Sequence, residues 1–182
     1  MSSGPQQEIC LTYTALIDAA GLQNLIRSFS LASNNGVKRI HFLIQSQGGI
    51  VNDAIAAYNF IRSLPIEVIT YNGGAIASAG ICLFLSGSKR KSSATATFMI
   101  HPVTGGQAST TANQLEISAK SVAIDDRRLR DIYDAQLKLP VYFDAHMTKG
   151  NLDLTAQEAL TMNLIDEIRD FKPPAGAQIF NI

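Results

Sequence analysis

Tyr71-Asn72-Gly73-Gly74-Ala75-Ile76-Ala77-Ser78-Ala79-Gly80 runs without a break into Ile81-Cys82-Leu83-Phe84-Leu85, and the reading of this stretch decides the fold. It follows Ile66-Glu67-Val68-Ile69-Thr70, a short β-branched run that reads as a buried strand ending at Thr70. Two glycines then lead into a segment apolar on every side, the mark of a buried helix. Ser78 is the one reactive polar side chain between Ala75 and Gly80, and its alanine and glycine neighbours leave room for another backbone to approach. A hydroxyl at the head of a buried helix lies where backbone N–H groups and the helix dipole favour developing negative charge. Ser78 is therefore either a nucleophile or an N-cap, and the rest of the chain has to choose between them.

Working outward, the same strand-then-helix rhythm repeats on both sides. Upstream, Glu8 to Thr14 reads as a strand, and Asp18 caps a helix with Leu22, Leu25, Ile26 and Phe29 on one face. Val37 to Ile44 is a second strand, broken by Ser46-Gln47-Gly48-Gly49 before a helix over Val51 to Ser63. Downstream, Gly87-Ser88-Lys89-Arg90-Lys91 reads as a solvated basic turn. Ala94 to Ile100 is a strand ending at His101-Pro102, and Gly105-Gly106 leads to the longest helix, Thr110 to Leu137. That helix carries Leu115, Ala119, Val122, Leu129 and Tyr133 on one face and Ile117 and Ile124 on nearly the opposite one. Two apolar stripes predict a helix covered on both sides, one of them by a partner subunit or by the chain itself. A helix follows Pro140 to about Lys149, Thr155-Ala156-Gln157-Glu158 forms a capping box, and Leu164 to Ile168 closes as a strand. The tail, about 170–182, reads as loose, with Ile179-Phe180 an apolar end free to dock on a neighbouring surface. This alternation predicts a single α/β domain over 1–182 with right-handed crossovers.

Bulk composition narrows the function classes. At 182 residues, 46% hydrophobic and 16% charged, the chain is apolar enough to suggest surface buried against other chains. A formal net charge of zero gives no electrostatic case for nucleic acid or an anionic membrane. Cys10 and Cys82 are isolated in apolar runs, without metal-ligand spacing, which predicts free buried thiols in a reducing compartment. No metal or cofactor is called for. Met1 to Gln7 lacks signal-peptide character and no apolar run is long enough to span a bilayer, so the expectation is a cytoplasmic globular protein.

Three features fall where strands end: Gly48-Gly49 after the second, Ser78 after the third and His101 after the fourth. Ligands of open α/β sheets gather outside such carboxyl ends. In one constellation Ser78 is the nucleophile, His101 its base, and the Gly49 and Ala79 N–H groups an oxyanion hole. His41, mid-strand, and His146, on a late helix, compete poorly with His101.

At these residues the chain resembles a known family. Ser46-Gln47-Gly48-Gly49, Gly74 to Gly80, Phe98-Met99-Ile100-His101-Pro102, and Thr155 to Ala159 with Asn163-Leu164-Ile165-Asp166 resemble, in order and spacing, the SPGG, serine, MIHQP and SAEEA…GLID motifs of the proteolytic subunit of the Clp protease, ClpP. The resemblance runs from about Ile40 to Ile168. It implies the ClpP/crotonase fold of stacked β-α units, with Thr110 to Leu137 as its long handle helix. It also implies serine endopeptidase chemistry on peptides or unfolded chains inside a self-assembled chamber, either one ring or stacked rings. Ser78 then matches the nucleophile, His101 the base, and Gly49 and Ala79 the oxyanion donors. The family's aspartate, four residues before the Ser/Thr of its SAEEA segment, matches Asn151. An asparagine orients an imidazole through its carbonyl but brings no charge, and Asp153, two residues on and on the same side of an extended segment, is the alternative. Gln47 replaces the usual proline, Pro102 follows His101 directly, and Thr148-Lys149-Gly150-Asn151 replaces the charged pattern that joins rings. The N-terminal segment lacks the family's axial loop, so an ATPase partner is not assigned. Two other readings stay open: a weak or inactive homologue acting as a scaffold, and a crotonase-type acyl-CoA enzyme, which the Ser78/His101 pair disfavours.

Overall fold

Backbone burial explains why the central strands are apolar on consecutive residues. The computed structural model describes residues 8–105, 111–148 and 150–182. Met1 to Gln7, Gly106, Thr110 and Lys149 lie outside the described residues, as does the His146 side chain. β1 (Glu8–Tyr13), β2 (Arg39–Ser46) and β3 (Glu67–Ala77) run parallel, with α1 (Ala19–Asn34) and α2 (Val51–Ser63) as the crossovers. Ile40, His41 and Phe42 are all buried, so β2 is covered on both faces, as parallel sheets require. Phe29 of α1 meets Phe42 edge-to-face at 5.4 Å between ring centroids, and Leu25, Ile55 and Ile61 join the same core. Asp18 caps α1 as expected, its Oδ1 accepting the Gly21 N–H at 2.8 Å.

The remaining elements are α3 (Ala79–Phe84), β4 (Lys89–Ser92), β5 (Thr97–Ile100), α4 (Ala112–Gln136), α5 (Phe143–Met147), β6 (Leu152–Thr155), α6 (Ala156–Thr161), β7 (Glu167–Ile168) and β8 (Ile179–Asn181). One sheet joins the strands in the order β6-β5-β3-β2-β1-β8, with β4 pairing β3 and β7 to one side. The expected mixed α/β architecture holds, and the Thr155 capping box is present in full.

Several expectations are corrected. The third strand does not stop at Thr70. β3 continues through Gly73-Gly74 to Ala77, and its register against β2 jumps from Ile44↔Asn72 to Ser46↔Ile76. The glycines thus form a bulge within the strand rather than its exit. The buried Asn72 holds it: its Nδ2 donates to Thr97 C=O at 2.8 Å, and its Oδ1 accepts from Gly74 N–H at 3.0 Å. Beyond this point β3 leaves β4 and pairs with β5.

The basic turn is a strand as well. Lys89 and Lys91 pair with Glu67 and Glu167 at 2.9 and 3.0 Å. Arg90 is mostly buried and donates to Gln136 Oε1 and Asn163 C=O; burial pushes its pKa down. The tail is not wholly loose either, since β8 adds to the edge of β1 by main-chain pairing that its sequence could not signal. Ile179 and Phe180 remain exposed there.

α4 starts at a Thr111 capping box. Leu129 and Tyr133 are buried, whereas Leu115, Ile117 and Ile124 are exposed. Among the described residues, the buried side chains of the helix thus lie in its second half. Arg128 Nη1 reaches Asn52 Oδ1, and Gln136 Nε2 donates to Tyr58 Oη at 2.6 Å.

Candidate active site

The site is built at the carboxyl ends of β2, β3 and β5. Ser46, the last residue of β2, shapes the first wall: its Oγ donates to Ala15 C=O at 2.7 Å and accepts the Gly48 N–H at 3.2 Å. Gly48 and Gly49 follow with φ of +93° and +145°, where side-chain-bearing residues are strained. Both also lie too close to other backbone for a Cβ. One added at Gly48 would sit 2.6 Å from Ser78 Cβ and 2.9 Å from Ala79 N; at Gly49 it would sit 2.1 Å from Ile17 O. Ile17 N–H bonds Gly48 C=O and Ile50 N–H bonds Ile17 C=O, each at 2.8 Å. The Gly49 N–H takes no part in that bridge. Gly49→Ala is expected to lower unfolding stability by about 3 kcal/mol or more, because strain and a backbone clash add. A denaturant melt showing an unchanged midpoint would refute this.

Ser78 itself follows β3 directly. Its backbone has φ 55° and ψ −131°, and its hydroxyl makes no capping hydrogen bond to α3. The simple cap reading therefore fails. A non-glycine residue in this region is strained by roughly 1–3 kcal/mol, a feature that concentrates at functional sites. Ser78 N–H donates to Met99 C=O at 2.8 Å, which holds the turn against β5. Ala79 opens α3, so its N–H has no intrahelical acceptor. Cys82, one turn on, is no rival nucleophile: it is fully buried and desolvation pushes its thiol up to about 12.

His101 follows the last residue of β5 and is half-buried. β5 and β6 are antiparallel with Met99↔Asp153 and Ile100↔Leu152 in register. Continuing that register sets Asn151 directly across from His101 and Asp153 diagonal to it. Leu152 and Leu154 are buried while Asn151 and Asp153 are exposed, so both candidates share the face of His101. Directly opposed Cβ atoms are about 4.5–5.5 Å apart and diagonal ones about 7–8 Å, which favours Asn151. Among the described residues, no hydrogen bond joins His101 to Ser78, Asn151 or Asp153. Such bonds are often long before substrate binds.

His41, by contrast, is committed elsewhere. Its Nδ1 lies 3.0 Å from Tyr71 Oη and its Nε2 3.1 Å from Glu8 Oε2. His41 and Arg39 hold the Glu8 carboxyl below its ordinary range.

A cavity of about 310 Å³ opens beside His101, walled by Leu129, Tyr133, Phe143 and Met147. Asp126, Arg130 and Asp144 supply its polar edge. Arg130 is bound by Asp134 and Asp144 and lies over the Phe143 ring, so it ties α5 to α4. Charges on helices ordinarily face solvent, so nothing in the sequence marks Asp126, Arg130 or Asp144 as lining a cavity. Among the described residues, no cluster of His, Cys, Asp and Glu could hold a metal, and no helix is long and apolar enough to cross a membrane.

Comparison with known proteins agrees with this architecture. Residues 7–172 match the family model for Clp protease. The chain is 32% identical over 133 residues to an ATP-dependent Clp protease proteolytic subunit of Bdellovibrio bacteriovorus, covering 71% of this chain and 63% of that protein. It is 31% identical over 140 residues to ATP-dependent Clp protease proteolytic subunit 2 of Chlamydia pneumoniae, covering 76% and 68% respectively. In fold it is similar to an Asn-to-Asp mutant of ClpP1 from Listeria monocytogenes, with a TM-score of 0.78 and 21% identity over 91% of this chain and 92% of that one. A match over nearly the whole sequence, on a sheet that gathers Gly48-Gly49, Ser78 and His101 at one end, shows that the chain belongs to the Clp protease family.

Proposed function

We propose that this chain is a serine endopeptidase acting on peptides or unfolded polypeptides within an oligomeric chamber. Ser78 Oγ attacks the scissile carbonyl carbon while His101 takes the hydroxyl proton. The Gly49 and Ala79 N–H groups bind the oxygen as it becomes negative. The C–N bond then breaks, His101 returns the proton to the leaving amine, and water hydrolyses the acyl-serine by the same steps in reverse order. Asn151 orients the imidazole, with Asp153 as the alternative. The apolar cavity beside His101 receives a substrate side chain.

The observation that carries this reading is Ser78: a strained serine, not capping its helix, backed by the Gly48-Gly49 turn. Self-assembly is supported by the exposed Leu115, Ile117 and Ile124 of α4. A second reading, a weak or inactive homologue serving as scaffold, is favoured by an uncharged Asn151 opposite the base. A fluorophosphonate probe separates the two. The peptidase reading predicts stoichiometric phosphonylation at Ser78, located by peptide mass mapping and abolished in His101→Ala. Failure to label the folded protein would leave the scaffold reading standing.

A further inference from the structure

We infer that Asp126, on α4, is a positioning residue for His101; this rests on the role proposed above for His101. β5 ends at Ile100, so His101 lies just past the sheet's own ladder. Two anchors bracket it. On one side Met99 C=O accepts the Ser78 N–H at 2.8 Å. On the other side Pro102 has no N–H to offer, so Val103 carries the first backbone donor after His101. That donor goes to Asp126 Oδ1 at 2.7 Å.

The bond is charge-assisted, which makes it stronger than a neutral one. Asp126 also differs from its neighbours on the helix. Asp125, Asp131 and Asp134 take Arg128, Arg127 and Arg130 as partners. Among the described residues Asp126 has no ion pair, and its recorded bond is to the His101 segment. The helix that presents it is itself held by the buried Leu129 and Tyr133, one and two turns further on. The same segment stays close to α4 beyond Val103: a Cβ on Gly105 would lie 2.8 Å from Val122 Cγ2. His101 has no side-chain hydrogen bond of its own among the described residues. The position from which Asn151 can orient the ring is set by the His101 backbone, which Met99 and Asp126 hold from either side. An error of about 1 Å in such a placement costs on the order of 10²-fold in rate.

The test compares Asp126→Asn, which keeps a carbonyl oxygen for the Val103 N–H, with Asp126→Ala, which removes it. Peptide hydrolysis, thermal melting and the His101 ring signal in histidine-selective NMR are measured on each full-length protein. The expected result is a kcat lower by about 10- to 100-fold in the alanine variant with KM little changed. Asparagine should recover at least about half of that loss on a logarithmic scale. The His101 ring signal should shift in the alanine variant while that of His41 stays in place. An unmoved His101 signal would overturn the inference whatever the activity. Equal impairment by Asn and Ala, or a loss confined to KM, would also overturn it, the latter by showing a substrate contact instead. If the ring signal shifts as expected but neither wild type nor variant cleaves peptide, the positioning role stands and the peptidase assignment falls.

Discussion

Ser78→Ala is expected to abolish peptide hydrolysis while leaving the fold as stable as before. Loss of a serine nucleophile that acts with a histidine costs about 10⁶-fold in kcat in the well-studied subtilisin case, so the residual rate should approach background. The stability half of the prediction is specific to this structure. The hydroxyl makes no capping hydrogen bond, and serine and alanine are equally strained at φ 55°. Their exchange therefore removes reactivity without removing a contact that holds the turn. The two halves are read together, by cleavage of a fluorogenic peptide and by thermal denaturation. Activity close to wild type in a folded variant would remove Ser78 from the mechanism. A large drop in melting temperature would mean that the serine side chain is structural.

Asn151→Asp is expected to act in the opposite direction and raise kcat. Continued one step past Ile100↔Leu152, the β5–β6 register sets Asn151 across from His101, where its carbonyl can hold the imidazole but leaves the imidazolium formed in the transition state without a counter-charge. In trypsin the aspartate-to-asparagine exchange lowers kcat about 10⁴-fold. Asn151 is exposed, so solvent weakens the added charge, and a gain of about 10- to 10³-fold is the scaled expectation. Asp153→Asn is the control: as the diagonal neighbour it should change the rate by less than about threefold. A collapse of activity in Asp153→Asn, with no gain in Asn151→Asp, would transfer the orienting role to Asp153. The pair of variants thus decides a question that either alone would leave half answered.

Much of the fold was readable from short-range patterns. Asp18 and Thr155 announced their helices because capping is a contact over three residues. The apolar run in β2 and the glycines after it marked a buried strand and its exit for the same local reason. The misreadings concern contacts across long separations. Gly73-Gly74 looked like the exit from a strand ending at Thr70 and is a bulge within it, because β5 offers Thr97 to Asn72 from 25 residues away. Arg90 looked solvated and is buried, because Gln136, Asn163 and Asp166 converge on it. The long helix carried two apolar stripes, but nothing local told that Leu129 and Tyr133 would be buried and Leu115, Ile117 and Ile124 exposed.

The sequence by itself determined the candidate chemistry: a serine between small residues, a strand-end histidine and a glycine pair, in an order and spacing that resemble one family. Those are identities and intervals, and folding does not alter them. Only the tertiary structure decided how they stand to one another. It alone showed that Ser78 has a strained backbone and a hydroxyl that does not cap α3, that the β5–β6 ladder ends at Ile100↔Leu152, one step short of His101 and Asn151, and that Asp126 accepts the Val103 N–H two residues past His101. Strand register and helix docking are set by the summed burial of many distant residues, and no single motif contains that sum.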